Sequence, residues 1–246
     1  MNIFLRELKA NFKSLIIWGG IIVLFIWIGF SKFTAYYGNP ELLAIFDSMP
    51  PAVMAAFQFE AFNLTTVTGF FGVMFIYFAL ILSIAAAMWG SDIITKEVRD
   101  KTVEFSLTLP VSRSRLVTAK ILAAVVNCIG LLLITIVTLL LNIGKYQPDA
   151  EFYAFMRLSI VAIFIMQMIF LALGVFLACA MKEHKRASSM AVSIILATYF
   201  VSIIIGLDDK LDFLKYFSPF AYFNPAELLH GGKGRVGGDE KMITAR

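Results

Sequence analysis

Charged residues are missing from five long stretches of this chain. The stretches without any Lys, Arg, Asp, Glu or His are Ser14–Ser31, Val67–Ser91, Ile121–Gly144, Leu158–Met181 and Ala187–Leu207. Because an apolar helix needs about 20 residues to cross a bilayer, each run meets or approaches the required length. The runs lack the period-two alternation of barrel strands. The sequence therefore predicts an all-α, polytopic helical membrane protein with five spans.

Known catalytic and metal-binding patterns are missing as well. The chain has no HExxH or GxSxG motif, so hydrolytic and metal chemistry have no visible residues. The run GGKG at 231–234 lacks the GxxxxGK[ST] spacing of a phosphate-binding loop and follows no strand. Cys128 and Cys179 both fall within spans, at a spacing that suits neither a disulfide framework nor a zinc site. We expect this chain to be no enzyme and to bind no metal or cofactor itself.

The net charge of the connecting segments alternates along the chain between basic and either acidic or neutral. The N-terminal segment is basic, the loop at 32–66 is net acidic, and the loop at 91–120 is basic again. The loop at 145–157 is neutral, and residues 182–186 read KEHKR. The excess of Lys and Arg in cytoplasmic loops then places the N-terminus and the 91–120 loop inside. We expect a multi-pass protein of the cell membrane, in a bacterium.

The N-terminal segment, residues 1–13, has the pattern of an amphipathic helix. Phe4 and Leu8 fall on one side of such a helix, and Arg6 and Lys9 fall on the other. We predict an interfacial elbow helix lying in the cytoplasmic surface of the membrane. The alternative is that this segment simply extends the first span.

The chain after the fifth run is broken by prolines. Pro219 and Pro225 and a series of aromatic residues predict a short interfacial or re-entrant element rather than a further span. From Gly231 to Arg246 the sequence is polar and rich in glycine, which predicts a flexible tail.

Few polar or glycine residues interrupt the spans. Four polar residues are candidates for lining a substrate route: Asn127, Thr135, Gln167 and Thr198. The alternative for each is a hydrogen bond between helices, generally worth about 0.6 kcal/mol. Four glycines are predicted to mark close helix contacts: Gly19, Gly20, Gly69 and Gly72.

The 91–120 loop is the most polar connection in the chain, with six basic and four acidic residues. We predict that the second span continues as a helix to Arg99. Thr102 is a suitable N-cap for a short transverse helix that ends before Pro110. Ser112 can then cap the helix of the third span. Such an element can transmit a movement from a soluble partner to both spans.

The residues of this loop resemble the cytoplasmic loop of ABC-2-type transporter permeases. The resemblance is carried by Glu97, Lys101-Thr102, Glu104 and the run TLPVSRSRLVTAK at 108–120. A second run, SPFAYFNPAELLHGG at 218–232, is also similar to that family. The similarity extends from the N-terminal helix to Gly232.

The resemblance implies a single permease domain, residues 1–246, with residues 91–120 as its cytoplasmic coupling loop. It implies partners too: an ATP-binding cassette subunit that carries ATP and Mg, a second permease copy and the lipid bilayer. No nucleic acid is expected. The residues that the resemblance assigns to coupling are Glu97, Thr102, Glu104, Phe105, Leu107, Pro110 and Arg113.

The end of the chain departs from the family pattern. The family implies a sixth span just after Gly232, where this sequence continues as the polar tail at 231–246. We therefore expect that the sixth span is missing, through truncation or a frame shift, or that the resemblance to the family ends locally at this point.

Without an ATP site or an ionisable group in the spans, energy must enter this chain from outside. Proton-coupled carriers usually place an ionisable group in the membrane despite a cost of roughly 2.5–3.5 kcal/mol. We predict the permease subunit of an ATP-driven exporter that works by alternating access. The alternative is a membrane scaffold or assembly factor that does not transport and that docks a soluble protein through the 91–120 loop.

Overall fold

Five long helices form the body of the protein. The computed structural model describes residues 3–39, 48, 50, 53, 62–99, 111–181, 184–207 and 209–229. The long helices are α1 (Ile3–Tyr36), α2 (Val67–Arg99), α3 (Arg113–Ile143), α4 (Ala150–Ala180) and α5 (His184–Leu207). Each contains a segment long and apolar enough to cross a membrane, which confirms the five predicted spans. The fold class is all-α.

The helices run beyond the apolar stretches that predicted them. At 1.5 Å per residue, a helix of 31 residues is about 46 Å long, whereas the hydrocarbon core of a bilayer is about 30 Å thick. α2 continues to Arg99, as predicted, and α3 begins at Arg113 with Ser112 as its N-cap. The Ser112 Oγ accepts a hydrogen bond from the Arg115 N–H at 3.4 Å, which confirms the predicted cap.

The N-terminal segment is helical, but it is not a separate helix. Residues from Ile3 onward form the first turns of α1 and continue unbroken into the first span. This continuity agrees with the alternative that the segment extends the first span. The reason is that nothing in the sequence from Ile3 to Ser14 breaks a helix, since the stretch holds no proline or glycine. The position of residues 1–13 in the cytoplasmic surface of the membrane stays a prediction.

α2 is the central helix of the bundle. It packs most extensively against α4 and also contacts α5 and α3, while α1 packs mainly against α3. Small residues allow the closest approach: a Cβ built on Gly90 would overlap the Leu171 carbonyl oxygen, and one on Gly174 would overlap that of Ala87. The centre of the bundle is therefore a backbone-to-backbone contact between α2 and α4.

The contacts define two ends of the bundle. At the basal end, the Trp89 Nε1–H of α2 donates to the Ser14 Oγ of α1 at 2.9 Å. At the distal end, the ring of Phe33 stacks on Phe70 with centroids 4.5 Å apart. The Thr34 hydroxyl lies 2.8 Å from the Tyr146 hydroxyl at the same end. Both ends of the 91–120 loop therefore lie at the basal end.

The chain after α5 turns back toward the bundle in short helices. They are a 3-10 helix (Asp209–Phe217), α6 (Pro219–Tyr222) and α7 (Pro225–Leu229). The Ser218 Oγ donates to the Thr198 carbonyl at 2.7 Å, and Phe220 is only 1% exposed. Because Thr198 lies well inside α5, the segment folds back along this helix. Its interfacial or re-entrant position in the membrane stays a prediction. The predicted tail at 231–246 lies outside the described residues.

Candidate functional site

Four charged side chains meet where α1, α2 and α3 converge at the basal end. We call this group, Arg6, Glu7, Glu97 and Lys120, the basal charge cluster. The Lys120 Nζ lies 2.6 Å from the Glu97 Oε1, and the Arg6 Nη2 lies 3.8 Å from the same carboxylate oxygen. The Arg6 Nη2 also lies 3.5 Å from the Glu7 Oε1. Among the residues that the structure describes, the cluster thus holds two positive and two negative side chains.

Lys120 is the most deeply buried cation of the cluster. It is 4% exposed because it lies two turns inside α3, on the face that packs against α2. Its ammonium donates a second hydrogen bond, to the Ile93 carbonyl at 3.2 Å. A buried ammonium is tolerated only when paired and hydrogen-bonded, and both conditions are met here.

The cluster connects the two ends of the 91–120 loop. Glu97 lies in the last turn of α2, and Lys120 lies near the start of α3. Arg6 adds the first turns of α1 to the same group. The cluster therefore joins the basal ends of three spans through charge-assisted contacts, which are stronger than neutral hydrogen bonds.

Of the residues predicted for coupling, the structure describes two. Glu97 is a member of the cluster, and Arg113 is the exposed first residue of α3. The other five predicted coupling residues lie outside the described part of the chain: Thr102, Glu104, Phe105, Leu107 and Pro110.

The four residues predicted to line a route differ in the hydrogen bonds that they make. Gln167 of α4 donates to the Cys128 carbonyl of α3 at 3.4 Å, next to Asn127. Thr135 and Thr198 donate to carbonyls of their own helices, at 2.9 and 2.8 Å. The Asn127 Nδ2 and the Gln167 Oε1 are buried and make no hydrogen bond within the described structure. Two of the four thus combine burial with unused hydrogen-bonding capacity.

Reasoning from the sequence missed three members of the cluster, Arg6, Glu7 and Lys120. Lys120 was assigned to a polar loop because it directly precedes the uncharged run of the third span. A signal was present in the opposite charges of Glu97 and Lys120. They lie toward the two ends of the 91–120 loop, just outside the second and third spans. Glu7 is 8% exposed although it belongs to a segment predicted to lie on the membrane surface.

These features define the class of protein as a polytopic helical membrane protein with its charged groups gathered at helix ends. A family model described as ABC-2 family transporter protein matches residues 1–235, and the chain belongs to this family. No curated protein and no solved structure matches it. The chain is therefore a transmembrane permease subunit of an ABC transporter, and the family implies an ATP-binding cassette subunit as its partner.

Proposed function

We propose that this chain is the permease of an exporter driven by ATP hydrolysis on a separate subunit. The observation that carries the proposal is the basal charge cluster. It joins both ends of the loop that resembles a coupling loop to a third helix, and Glu97 belongs to the cluster and to the resemblance alike. ATP and Mg belong to the partner, and the substrate moves by alternating access.

In this proposal the basal end faces the cytoplasm. Arg6, Lys9 and Lys13 lie at this end of α1, and an excess of basic residues favours the cytoplasmic side. The ATP-binding subunit then reaches the 91–120 loop directly. The membrane is the cell membrane of a bacterium, and a second permease copy completes the route.

The force from the partner acts through rigid elements. α2 carries the loop at one end and packs along α4 through Gly90 and Gly174. A tilt of α2 therefore moves α4 with it, while the pair formed by Glu97 and Lys120 moves α3. Asn127 of α3 and Gln167 of α4 are both buried with unused polar atoms, which supports a place for them on the substrate route. Thr135 and Thr198 remain proposed as lining residues on sequence grounds.

The coupling loop is tested by changing its predicted docking residues. Replacing Phe105 with Asp, or Glu104 with Lys, is expected to reduce ATP-driven transport at least tenfold, since about 1.4 kcal/mol of lost docking energy is tenfold in affinity. The complex of permease and ATP-binding subunit is reconstituted in liposomes. ATP-dependent movement of a hydrophobic dye or a fluorescent phospholipid is measured together with ATP hydrolysis.

The matched control is Tyr216→Asp, which likewise replaces an aromatic residue with Asp, at an exposed position outside the 91–120 loop. It is expected to retain transport. Unchanged coupling in the Phe105 and Glu104 variants would contradict the proposal. A different result would be that the unmodified protein binds the ATP-binding subunit firmly without any ATP-dependent movement of the dye or the phospholipid. That result would favour the alternative of a membrane scaffold that does not transport.

A further inference from the structure

A groove separates α1 from α2 at the basal end. Its volume is about 470 Å³, within the range of ligand-binding clefts. We call it the boundary groove. Residues that line it include Ala10, Lys13, Ile17 and Ile21 of α1 and Asp92 and Lys96 of α2.

The boundary groove crosses the limit between the polar and apolar parts of both helices. On α1 the uncharged run begins at Ser14, and on α2 it ends at Ser91. Ile17 and Ile21 line the groove on the apolar side of this limit, and both are exposed. Lys13 and Lys96 line it on the polar side. One end of the groove is therefore hydrocarbon-like and the other is cationic.

The two lysines are available to a ligand. Within the described residues, neither Lys13 nor Lys96 forms an ion pair. Asp92 also lines the groove, and it already takes part in an interaction within the protein. Two ammonium groups from two different helices thus share one cleft with a single carboxylate, and an anion between them would relieve their repulsion.

We propose that the boundary groove binds an anionic phospholipid of the leaflet at the basal end. The headgroup phosphate pairs with Lys13 and Lys96, and the first part of an acyl chain lies along Ile17 and Ile21. A free phosphate would use only the polar half of the groove. A zwitterionic lipid would fill both halves with no net charge to match the cationic end.

A lipid in this position bridges α1 and α2 beside the basal charge cluster. Its phosphate contacts one lysine from each helix, at the level of the bond between Trp89 and Ser14. It therefore resists separation of the two helices at their basal ends. The stability of the protein therefore depends on the surrounding lipid, whether or not the protein is transporting.

Lipid binding is tested by native mass spectrometry of the detergent-purified full chain. Phosphatidylglycerol is titrated against phosphatidylcholine, with inorganic phosphate as a third arm, and Tm is recorded for each. Phosphatidylglycerol is expected to bind more tightly and to raise Tm more than either alternative. The double variant Lys13→Gln, Lys96→Gln should bind it about 30-fold more weakly, because each lysine near an anionic surface contributes roughly a factor of five.

Two further variants separate charge from shape. The double variant Lys9→Gln, Lys145→Gln removes the same net charge outside the groove and should bind like the unmodified protein. Ala10→Trp keeps every charge but fills the polar half of the groove, and it should lose the preference for phosphatidylglycerol. Equal binding of the two lipids, an equal effect of inorganic phosphate, or unchanged binding after loss of Lys13 and Lys96 would each overturn the proposal. These outcomes leave the transport proposal untouched, since the assay requires no partner and no ATP.

Discussion

Replacing Lys120 with methionine is expected to lower the Tm of the detergent-purified protein by roughly 5 to 10 °C. The methionine fills the space of the lysine stem but removes the contact of the Lys120 ammonium with the Glu97 carboxylate, 2.6 Å away. Breaking a buried ion pair generally costs about 3 to 5 kcal/mol. We expect about 2 to 3 kcal/mol, because Arg6 lies 3.8 Å from the same carboxylate and compensates in part. For a chain of this size each kcal/mol shifts Tm by about 2–4 °C.

The reciprocal change distinguishes the two partners. Glu97→Leu is expected to destabilise the protein more than Lys120→Met, since Lys120 would retain only the Ile93 carbonyl within the described structure. The double variant should recover part of the loss, because neither charge is then buried alone. Lys9→Met is the matched control, an exposed lysine of α1, and it should leave Tm unchanged. Equal Tm values for Lys120→Met and Lys9→Met would show that the pair contributes nothing.

The same variants bear on coupling. If the cluster transmits movement between α1, α2 and α3, the double variant should regain stability without regaining ATP-driven transport. If the pair only stabilises the fold, both properties should return together. Measuring Tm and transport on the same preparations separates these outcomes.

The spans could be predicted because hydrocarbon tolerates few charges, so their absence marks a membrane helix locally along the chain. The residues at which the helices begin and end could not be predicted in this way. Charge limits the apolar run, but it does not stop a helix, and α3 therefore begins at Arg113 although its uncharged run begins at Ile121. The Ser112 cap was predictable since a cap depends on a hydrogen bond between near neighbours.

The basal charge cluster required the tertiary structure. The burial of Lys120 depends on Glu97 and Ile93, which are distant in sequence and belong to another helix. A lysine at the end of an apolar run ordinarily extends its ammonium to water, so sequence alone places it on the surface. Only the packing of α3 on α2 shows that the ammonium meets a carboxylate instead.

The glycines at close contacts between helices were also only partly predictable from the sequence. Of the four predicted to mark close helix contacts, Gly19 does so, since a Cβ there would lie 3.1 Å from the Ile134 side chain of α3. Gly69 and Gly72 pack closely too, but against Asn63 and Phe62, which precede α2 and belong to no helix. The prediction for Gly20 was wrong, because a Cβ there would meet nothing within 4 Å. Gly90 and Gly174 form the tightest approach between long helices, and no local pattern distinguishes them. Which face of a helix meets its neighbour is decided by the whole bundle.

Replacing Gly174 with alanine is therefore expected to destabilise the protein strongly for so small a change. The added Cβ would overlap the Ala87 carbonyl oxygen and lie 3.0 Å from the Ser91 backbone nitrogen. Since backbone atoms cannot rotate away as a side chain does, α4 must move away from α2. Overpacking of this kind costs about 1–3 kcal/mol, and we expect the upper part of that range, a fall in Tm of roughly 5 to 10 °C. Gly174→Val should abolish the yield of folded protein.

Gly20→Ala is the matched control, because it makes the same change in a helix where the methyl group meets no neighbour. Alanine is about 1 kcal/mol more favourable than glycine in a helix, so this variant should match or exceed the Tm of the unmodified protein. The two changes are thus expected to have opposite signs although they are chemically identical. A Gly174→Ala protein as stable as the Gly20→Ala protein would show that α2 and α4 do not meet at this point. Because α2 carries one end of the loop, a Gly174→Ala protein that still folds should also transport more slowly in the liposome assay, while Gly20→Ala should not.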